Sequence, residues 1–350
     1  MAHWTRAKRI AAMIAIAVFA GTILVINGCS KRSDFAGFEQ EQSQLEQIAN
    51  EGVPVQIDCT PTPARLERGK YIVENVAHCF MCHSEVDWKA PGAQPIAGKK
   101  GAGQKWVEPV LPFLYVPNIT PDKETGAGTW TDEMFARAIR EGIGHDGRRL
   151  FPLMPYMQFR NMSDQDLASV IAYIRSIPAV RNKVPTTQLP DEVKAMLPPP
   201  QPLTTRVAAP DRSNPVKRGE YLVTIGNCAA CHTPMGPKGE PLAGLEFGGG
   251  FVLDGPWGKV ASKNLTQDAS GISYFDENLF IQTIRTGAVK ARKLNSVMPW
   301  GYFRNMTDDD LKAIYAYLRT LKPVHHEVDN TEPPTQCRIC GGMHGSGDRN

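Results

Sequence analysis

The stretch Cys79-Phe80-Met81-Cys82-His83 recurs later in the chain as Cys228-Ala229-Ala230-Cys231-His232. Each is a C-x-x-C-H run, the signature of covalent c-type haem attachment. Two thiols at this spacing can form thioethers to the two vinyl groups of one porphyrin, and the histidine that follows then lies under the iron as its proximal ligand. The sequence therefore predicts two covalently bound haem c groups. The predicted attachment residues are Cys79, Cys82, Cys228 and Cys231, and the predicted proximal ligands are His83 and His232.

Two other uses of a C-x-x-C pair fit less well. A zinc half-site usually needs a second Cys or His pair in the same domain, and neither region supplies one. A thioredoxin-like redox pair lies at a strand-to-helix turn of a βαβ unit, and the sequence indicates no such unit. Haem attachment is the interpretation that both runs favour.

Residues 65–180 resemble residues 216–324 throughout their length, so the chain contains an internal repeat. Arg68-Gly69-Lys70-Tyr71 matches Arg218-Gly219-Glu220-Tyr221, and Phe159 to Met162 matches Phe303 to Met306. Because each copy carries its own C-x-x-C-H run, we predict one small domain present twice. Residues 181–215 between the copies are rich in proline, which predicts an extended, semi-rigid linker.

Each repeat is predicted to be helical. Leu167, Val170-Ile171 and Ile174 have helical spacing, as do the corresponding residues of the second repeat. Gly69 and Gly219 interrupt helices, which costs about 1 kcal/mol each relative to alanine, and a close crossing of helices would explain both. The predicted N-caps are Thr62, Thr131, Ser163, Asp276 and Thr307, and the predicted helix-closing glycines are Gly142 and Gly287.

A second iron ligand is predicted at Met154 and Met298, which occupy matched places and both precede a proline and an aromatic residue. Thioether sulfur favours ferrous iron, so His/Met ligation raises the reduction potential. The competing methionines are Met157, Met162 and Met306, and His145 is a competing imidazole. Haem propionates need hydrogen-bond donors, and the arginines at matched places are Arg140, Arg160, Arg285 and Arg304.

The first 29 residues are predicted to be a targeting segment. Arg6, Lys8 and Arg9 precede an uncharged, mostly apolar stretch at 10–26, and Gly28-Cys29-Ser30 follows. A lipoprotein signal with Cys29 as the acceptor, an uncleaved anchor helix and a soluble form cleaved elsewhere remain open. Export places the protein on the periplasmic side of a bacterial membrane. The first two alternatives tether it there.

The other cysteines are Cys59, Cys337 and Cys340. Cys337 and Cys340 form a C-x-x-C run without a following histidine, for which we expect a local disulfide or a disordered redox-active tail. His325, His326 and His344 could instead complete a metal site with them. The predicted organisation is a targeting segment at 1–29, a spacer at 30–64, domains at 65–180 and 216–324 joined by the linker 181–215, and a tail at 325–350.

With the haem runs, Asn118-Ile119-Thr120-Pro121-Asp122, Trp130 to Glu133 and Met154-Pro155-Tyr156 resemble class I cytochrome c domains. They are similar in particular to the cytochrome subunits of membrane-bound alcohol, aldehyde and gluconate dehydrogenases. The resemblance implies an all-α fold of two tandem cytochrome c-like domains. Those subunits usually carry three haems, whereas this chain has two complete haem runs.

We expect a membrane-tethered dihaem electron carrier. Its donor would be a periplasmic dehydrogenase or a quinol-oxidising complex, and its acceptor a terminal oxidase or a smaller cytochrome. The alternative is a dihaem redox enzyme of the peroxidase or thiosulfate dehydrogenase type, which needs a labile sixth position on one iron. The net charge of +3 does not suggest a nucleic-acid partner.

Overall fold

The computed structural model describes residues 57–197, 199–236 and 239–345. The predicted targeting segment, with the candidate lipid acceptor Cys29, and residues 30–56 of the predicted spacer lie outside the described residues. Within the described ranges, no helix combines the length and the apolar character that crossing a membrane requires.

Helices dominate both repeats. In the first repeat they are α1 Pro63–Tyr71, continued by a π-helical turn at Ile72–Val76, then α2 Cys79–Cys82, α3 Asp132–Arg140, α4 Tyr156–Phe159 and α5 Asp164–Ser176. The segment between the repeats contains α6 Asp191–Met196. In the second repeat they are α7 Pro215–Ile225, α8 Cys228–His232, α9 Glu277–Thr286, α10 Trp300–Phe303 and α11 Asp308–Leu318.

Short antiparallel strand pairs connect some of these helices, and the sequence indicates none of them. The pairs are β1 Gln104–Lys105 with β2 Tyr115–Val116, β3 Val252–Gly255 with β4 Gly258–Ala261, β5 Ala288–Val289 with β6 Arg292–Lys293, and β7 Thr335–Gln336 with β8 Met343–His344. Most of these strands have two residues, too few for a side-chain alternation to be recognised in the sequence.

The predicted helix ends are confirmed by hydrogen bonds. Thr62, Thr131 and Ser163 each accept a backbone N–H of the first helical turn. Asp276 and Thr307 do the same in the second repeat. Gly142 and Gly287 have φ values of 68° and 67° after their helices, in the left-handed region that glycine enters without steric cost. Local sequence therefore determines where these helices begin and end.

The first and last helices of each repeat cross at a glycine, as the sequence predicts. A Cβ atom on Gly69 would lie 1.9 Å from the Ser169 carbonyl oxygen of α5. A Cβ atom on Gly219 would lie 1.9 Å from the Ala313 carbonyl oxygen of α11. Because both neighbours are backbone atoms, a side-chain rotation cannot relieve the overlap. Glycine is required at both crossings.

The two repeats face each other through a pair of equivalent hydrogen-bonded clusters. In the first repeat Arg68 binds Asp166 with two contacts of 2.8 Å, and the Tyr221 hydroxyl of the second repeat donates to the same carboxylate at 2.6 Å. In the second cluster Arg218 binds Asp310, and the Tyr71 hydroxyl of the first repeat donates to it at 2.5 Å. Each repeat thus provides the tyrosine that completes the other repeat's ion pair.

These clusters also contact the start of each last helix. The Tyr221 hydroxyl accepts the backbone N–H of Ser163 at 3.1 Å, and the Tyr71 hydroxyl accepts that of Thr307 at 3.0 Å. Asp166 and Asp310 are 1% and 4% exposed. Such buried carboxylates need several partners to offset their lost hydration. The relative position of the repeats is therefore constrained by polar groups that cannot be left unpaired.

The segment between the repeats packs mainly on the first repeat. The Asn182 side chain donates to the Ala102 carbonyl at 2.8 Å, and the Thr187 hydroxyl donates to the Tyr115 carbonyl at 2.8 Å. Further along, the Leu203 N–H donates to Glu141 at 3.0 Å, and the Asp164 N–H donates to the Val207 carbonyl at 2.9 Å. These contacts bring the chain back across the first repeat before α7 begins.

Residues 325–345 fold back onto the second repeat. Strands β7 and β8 form a hairpin there, and the C-x-x-C run lies in its turn. Cys337 and Cys340 are free thiols in the structure, as is the buried Cys59. The expected local disulfide at Cys337 and Cys340, and the expected disordered tail, are therefore not what the structure shows for these residues.

We predict that Gly219→Ala destabilises the protein by about 3 kcal/mol, because the added methyl group overlaps a backbone carbonyl that can move only with its helix. Denaturant unfolding of the haem-loaded protein measures this. Glu220→Ala, on the exposed face of the same helix, is the control and should change the unfolding free energy by less than about 0.5 kcal/mol. Equal effects of the two substitutions would contradict the crossing.

A second prediction concerns Tyr71. Burial and the neighbouring Asp310 raise the pKa of its hydroxyl to about 12, against about 10 in an unfolded chain. The folded state therefore holds this proton more tightly, and its stabilising effect is complete below about pH 10 and is lost between about pH 10 and about pH 12. Between about pH 10 and about pH 12, the free energy of unfolding should therefore fall by about 2 kcal/mol less in Tyr71→Phe than in the wild-type protein.

Unfolding titrations at both ends of that pH interval measure the decrease for each protein. Tyr274→Phe, at a tyrosine whose side chain is largely exposed, is the matched control. It should keep the full pH dependence. If the two variants show the same slope, Tyr71 does not make the proposed contact.

Candidate functional site

The two C-x-x-C-H histidines have the same local geometry. The His83 Nδ1 atom lies 2.9 Å from the Pro117 carbonyl oxygen, and the His232 Nδ1 atom lies 2.7 Å from the Lys263 carbonyl oxygen. A carbonyl can only accept, so each Nδ1 carries the proton and each Nε2 keeps its lone pair. Burial lowers the pKa of both imidazoles, which keeps them neutral. Neutral, oriented imidazoles are the form that ligates iron.

The residue before each run has a left-handed backbone. His78 has φ 39° and Asn227 has φ 56°. This conformation reverses the chain between the preceding helix and the short helix that carries the two cysteines. Asn and His adopt it more readily than most residues. The sequence analysis missed this feature. The signal was the occurrence of His and Asn, two residue types that tolerate a left-handed backbone, at the equivalent position of the two repeats.

The four haem-run cysteines lie in the wall of one continuous cavity of about 1230 Å³. Sites for a single small molecule usually measure about 300–1,000 Å³. The wall also contains His83 and Met154 of the first repeat and His232 and Met298 of the second. The predicted ligand sets of both repeats therefore line the same cavity.

Burial raises the pKa of the cysteine thiols in this wall, to about 12 for Cys79, Cys82 and Cys228 and to about 11 for Cys231. The thiols are therefore neutral at physiological pH. Conversion of each thiol to a thioether keeps it neutral, which suits an apolar cavity.

The structure distinguishes among the candidate sixth ligands. Met154 and Met298 line the cavity immediately before Pro155 and Pro299, which precede α4 and α10. Met162 and Met306 also reach the wall, but they are 1% and 2% exposed and belong to the hydrophobic core. Met157 is 48% exposed and does not line the cavity. His145 also lines the cavity, but it is exposed and its ring stacks on that of Trp130, with centroids 4.4 Å apart.

The arginines predicted to contact propionates have protein partners outside the cavity wall. Arg140 pairs with Asp164 at 2.8 Å, and Arg285 pairs with Asp308 at 2.5 Å. Arg160 donates to the Gln201 carbonyl, and Arg304 lies over the Trp300 ring. The cations that do line the cavity are Arg148, Arg149, Arg292, Lys194 and Lys263. Sequence reasoning missed them because the repeat positions it compared do not include them.

Two tryptophans supply the clearest indication of what the cavity holds. Trp88 of the first repeat and Trp257 of the second pack edge to face, with ring centroids 4.5 Å apart. The Nε1 atom of each is buried in the cavity wall and has no acceptor among the described residues. Buried donors of this kind are normally paired. Haem propionates would accept hydrogen bonds from these two indole N–H groups. The cavity wall thus offers thiols for attachment, imidazole and thioether groups for the irons, and donors for the propionates, which together fit two haems.

Comparison with known proteins agrees with this geometry. The family model described as "Cytochrome c" matches residues 66–178 and again residues 216–322. The two matches fall on the two repeats and together cover more than half of the chain. Covalently bound haem c is the cofactor of such domains.

The chain is similar to curated proteins of dehydrogenase systems. It is 32% identical to a nicotinate dehydrogenase subunit of Pseudomonas putida over 74% of this chain and 21% of that protein. It is 30% identical to the cytochrome c subunit of the quinone alcohol dehydrogenase of Gluconacetobacter polyoxogenes over 80% of this chain and 61% of that subunit.

A third relative is the gluconate 2-dehydrogenase cytochrome c subunit of Pantoea cypripedii, with 30% identity over 74% of this chain and 60% of that subunit. The chain thus spans less than two thirds of each of these relatives.

The left-handed residue before the second haem run provides a test of the local geometry. Asn227→Gly should be tolerated, whereas Asn227→Val should be about 1–2 kcal/mol less stable than the glycine variant, because a branched side chain is strained at φ 56°. Unfolding free energy and covalent haem per chain are the two measurements. Equal stability of the valine and glycine variants would show that this backbone conformation is not required.

Proposed function

Since the chain belongs to the cytochrome c family, we propose that it is a dihaem electron-transfer protein. Cys79 and Cys82 would hold one haem, and Cys228 and Cys231 the other. The single cavity lined by both ligand sets carries this proposal, because it brings both predicted haem sites together in one cavity. Haem c, when bound, supplies reversible one-electron chemistry.

In this proposal the protein's side chains hold each iron in a closed coordination shell. His83 and His232 would bind iron through Nε2, and the carbonyls of Pro117 and Lys263 hold the two rings in the orientation that this requires. Met154 and Met298 would supply the sixth ligands from matched positions. Two thioether ligands favour the ferrous state and raise both potentials. Closed shells favour electron transfer over substrate binding at iron.

We further propose that the propionates are bound by groups of the cavity wall. The unpaired indole N–H groups of Trp88 and Trp257 would each donate one hydrogen bond. Arg148, Arg149 and Arg292 would supply charge at the same wall. These residues replace Arg140, Arg160, Arg285 and Arg304 as our candidates, because they line the cavity and those four arginines do not.

We propose a dehydrogenase as the electron donor, supported by the names of the relatives, which are subunits of dehydrogenases. The acceptor would be a terminal oxidase or a smaller cytochrome. The proposed location is the periplasmic side of a bacterial membrane, supported by the basic and apolar pattern of residues 1–29 and by the need to attach haem c outside the cytoplasm. Contacts with such partners would be small and transient.

The competing function is a dihaem redox enzyme of the peroxidase or thiosulfate dehydrogenase type. Such an enzyme needs one iron with a labile sixth position. The presence of Met154 and Met298 at equivalent places in the cavity wall supports electron transfer instead.

Carbon monoxide binding tests which function applies. The fully reduced native protein should bind almost no carbon monoxide on mixing, and its ferric form should show the charge-transfer band of methionine-ligated haem for both sites. It should also exchange electrons rapidly with a small monohaem cytochrome. Rapid carbon monoxide binding to one haem of the native protein would refute the electron-transfer-only function.

We predict that Met298→Ala lowers one of the two midpoint potentials by an amount on the order of 0.2 V, since axial ligands set haem potentials over a range of about 0.8 V. The variant should also bind carbon monoxide at one haem. Met157→Ala is the control, because Met157 is exposed and outside the cavity, and it should leave both potentials unchanged. A potentiometric titration of each protein measures the shift. An unchanged pair of potentials in Met298→Ala would exclude Met298 as a ligand.

A further inference from the structure

The folded-back tail brings together four side chains that the electron-transfer function does not use. They are His326, Cys337, Cys340 and His344, and their ligand atoms all lie within 4.8 Å of one another. The Cys337 Sγ atom lies 3.4 Å from His326 Nε2, and the Cys340 Sγ atom lies 3.2 Å from His344 Nε2. We propose that these residues bind a zinc ion.

The donor set and its spacing fit tetrahedral zinc. Two thiolates and two imidazoles are a common structural zinc set, and bonds of about 2.0–2.3 Å place neighbouring ligand atoms about 3.3–3.8 Å apart. The Cys337–His326 distance of 3.4 Å lies within that range, and the Cys340–His344 distance of 3.2 Å lies just below it. All four ligand atoms lie within 4.8 Å of one another, so a small contraction would complete the tetrahedron. The set has four protein ligands, which leaves no open position and indicates a structural role.

The turn that carries the cysteines is folded to support thiolates. The Ile339 N–H points to Cys337 Sγ at 3.3 Å, and the Gly342 N–H points to Cys340 Sγ at 3.3 Å. The turn is closed by a hydrogen bond of 2.8 Å from the Cys337 N–H to the Gly342 carbonyl. Backbone donors directed at sulfur stabilise negative charge on metal-bound thiolates.

His326 is oriented as a ligand by the second repeat. Its ring is fully buried, and its Nδ1 atom lies 2.9 Å from the Gly248 carbonyl, so Nδ1 carries the proton and Nε2 faces Cys337. The corresponding residue of the first repeat is Asn182, which donates to the Ala102 carbonyl at 2.8 Å. An amide is therefore sufficient for this hydrogen bond. The histidine adds a second nitrogen, and that nitrogen points at the cluster.

Gly250, whose φ of 89° itself favours glycine, leaves room for both histidines. A Cβ atom there would lie 2.5 Å from His326 Cε1 and 2.9 Å from His344 Nε2. The first repeat has Gln104 at the corresponding place, and its side chain donates to the Cys82 carbonyl at 2.9 Å. The second repeat thus lacks a side chain at the one place where both histidines need the space.

The zinc site would tie the tail to the loop behind the second proximal histidine. Gly249 lies between the two glycines that contact the cluster, and its N–H donates to the His232 carbonyl at 2.7 Å. A bound zinc ion would therefore hold residues 326–344 and residues 248–250 together. Its binding energy would stabilise this part of the fold.

The test is the metal content of the full-length, haem-loaded protein, measured by inductively coupled plasma mass spectrometry. The proposal predicts one zinc per chain in addition to the haem iron. His326→Asn, which keeps the hydrogen bond to Gly248, should reduce zinc at least tenfold while leaving haem content unchanged, and Cys340→Ser should do the same. His325→Ala is the matched control and should retain zinc, because His325 is exposed and contacts Asp268.

X-ray absorption at the zinc edge of the wild-type protein gives a readout that does not depend on any variant folding. It should show two sulfur ligands at about 2.3 Å and two nitrogen ligands at about 2.0–2.1 Å. A Cys337–Cys340 disulfide in the isolated protein would overturn the proposal. So would a third, non-haem iron at these residues, or zinc that persists in both His326→Asn and Cys340→Ser.

Discussion

Two buried carboxylates, Asp166 and Asp310, determine how the halves of this protein meet. Each is bound by an arginine of its own repeat and by a tyrosine of the other. A buried carboxylate that loses one of these partners carries a large desolvation cost. The two repeats are therefore held in one relative arrangement, and in this arrangement both ligand sets line one cavity.

The shared cavity follows from this arrangement. The tyrosine contacts bring the π-helical end of α1 against α10, and α4 against α7. Trp88 and Trp257 then meet across the junction, and Tyr302 donates to the Ala93 carbonyl at 3.0 Å. Neither repeat builds this wall alone. An electron-transfer protein benefits from such a wall because it fixes the distance between the two sites.

The two repeats diverge where the tail packs. Asn182 in the first repeat and His326 in the second make the same hydrogen bond to the backbone. Gln104 fills a space that Gly250 leaves open for two histidines. The first repeat is thus a useful reference for the second. Where equivalent positions carry different residues, as at Asn182 and His326, the difference indicates a role of the second repeat beyond forming a cytochrome c domain.

The sequence by itself determined the features that depend on neighbouring residues. The haem runs, the helix caps at Thr62 and Thr307 and the glycine crossing at Gly219 all follow from local chemistry or from a comparison of repeats. The tail histidines were candidate partners of Cys337 and Cys340 from the sequence, and the structure places His326 and His344, not His325, beside them. Only the tertiary structure decided that Tyr71 pairs with Asp310 and that one cavity serves both repeats. These are contacts between segments far apart in the chain, and residue spacing carries no information about them.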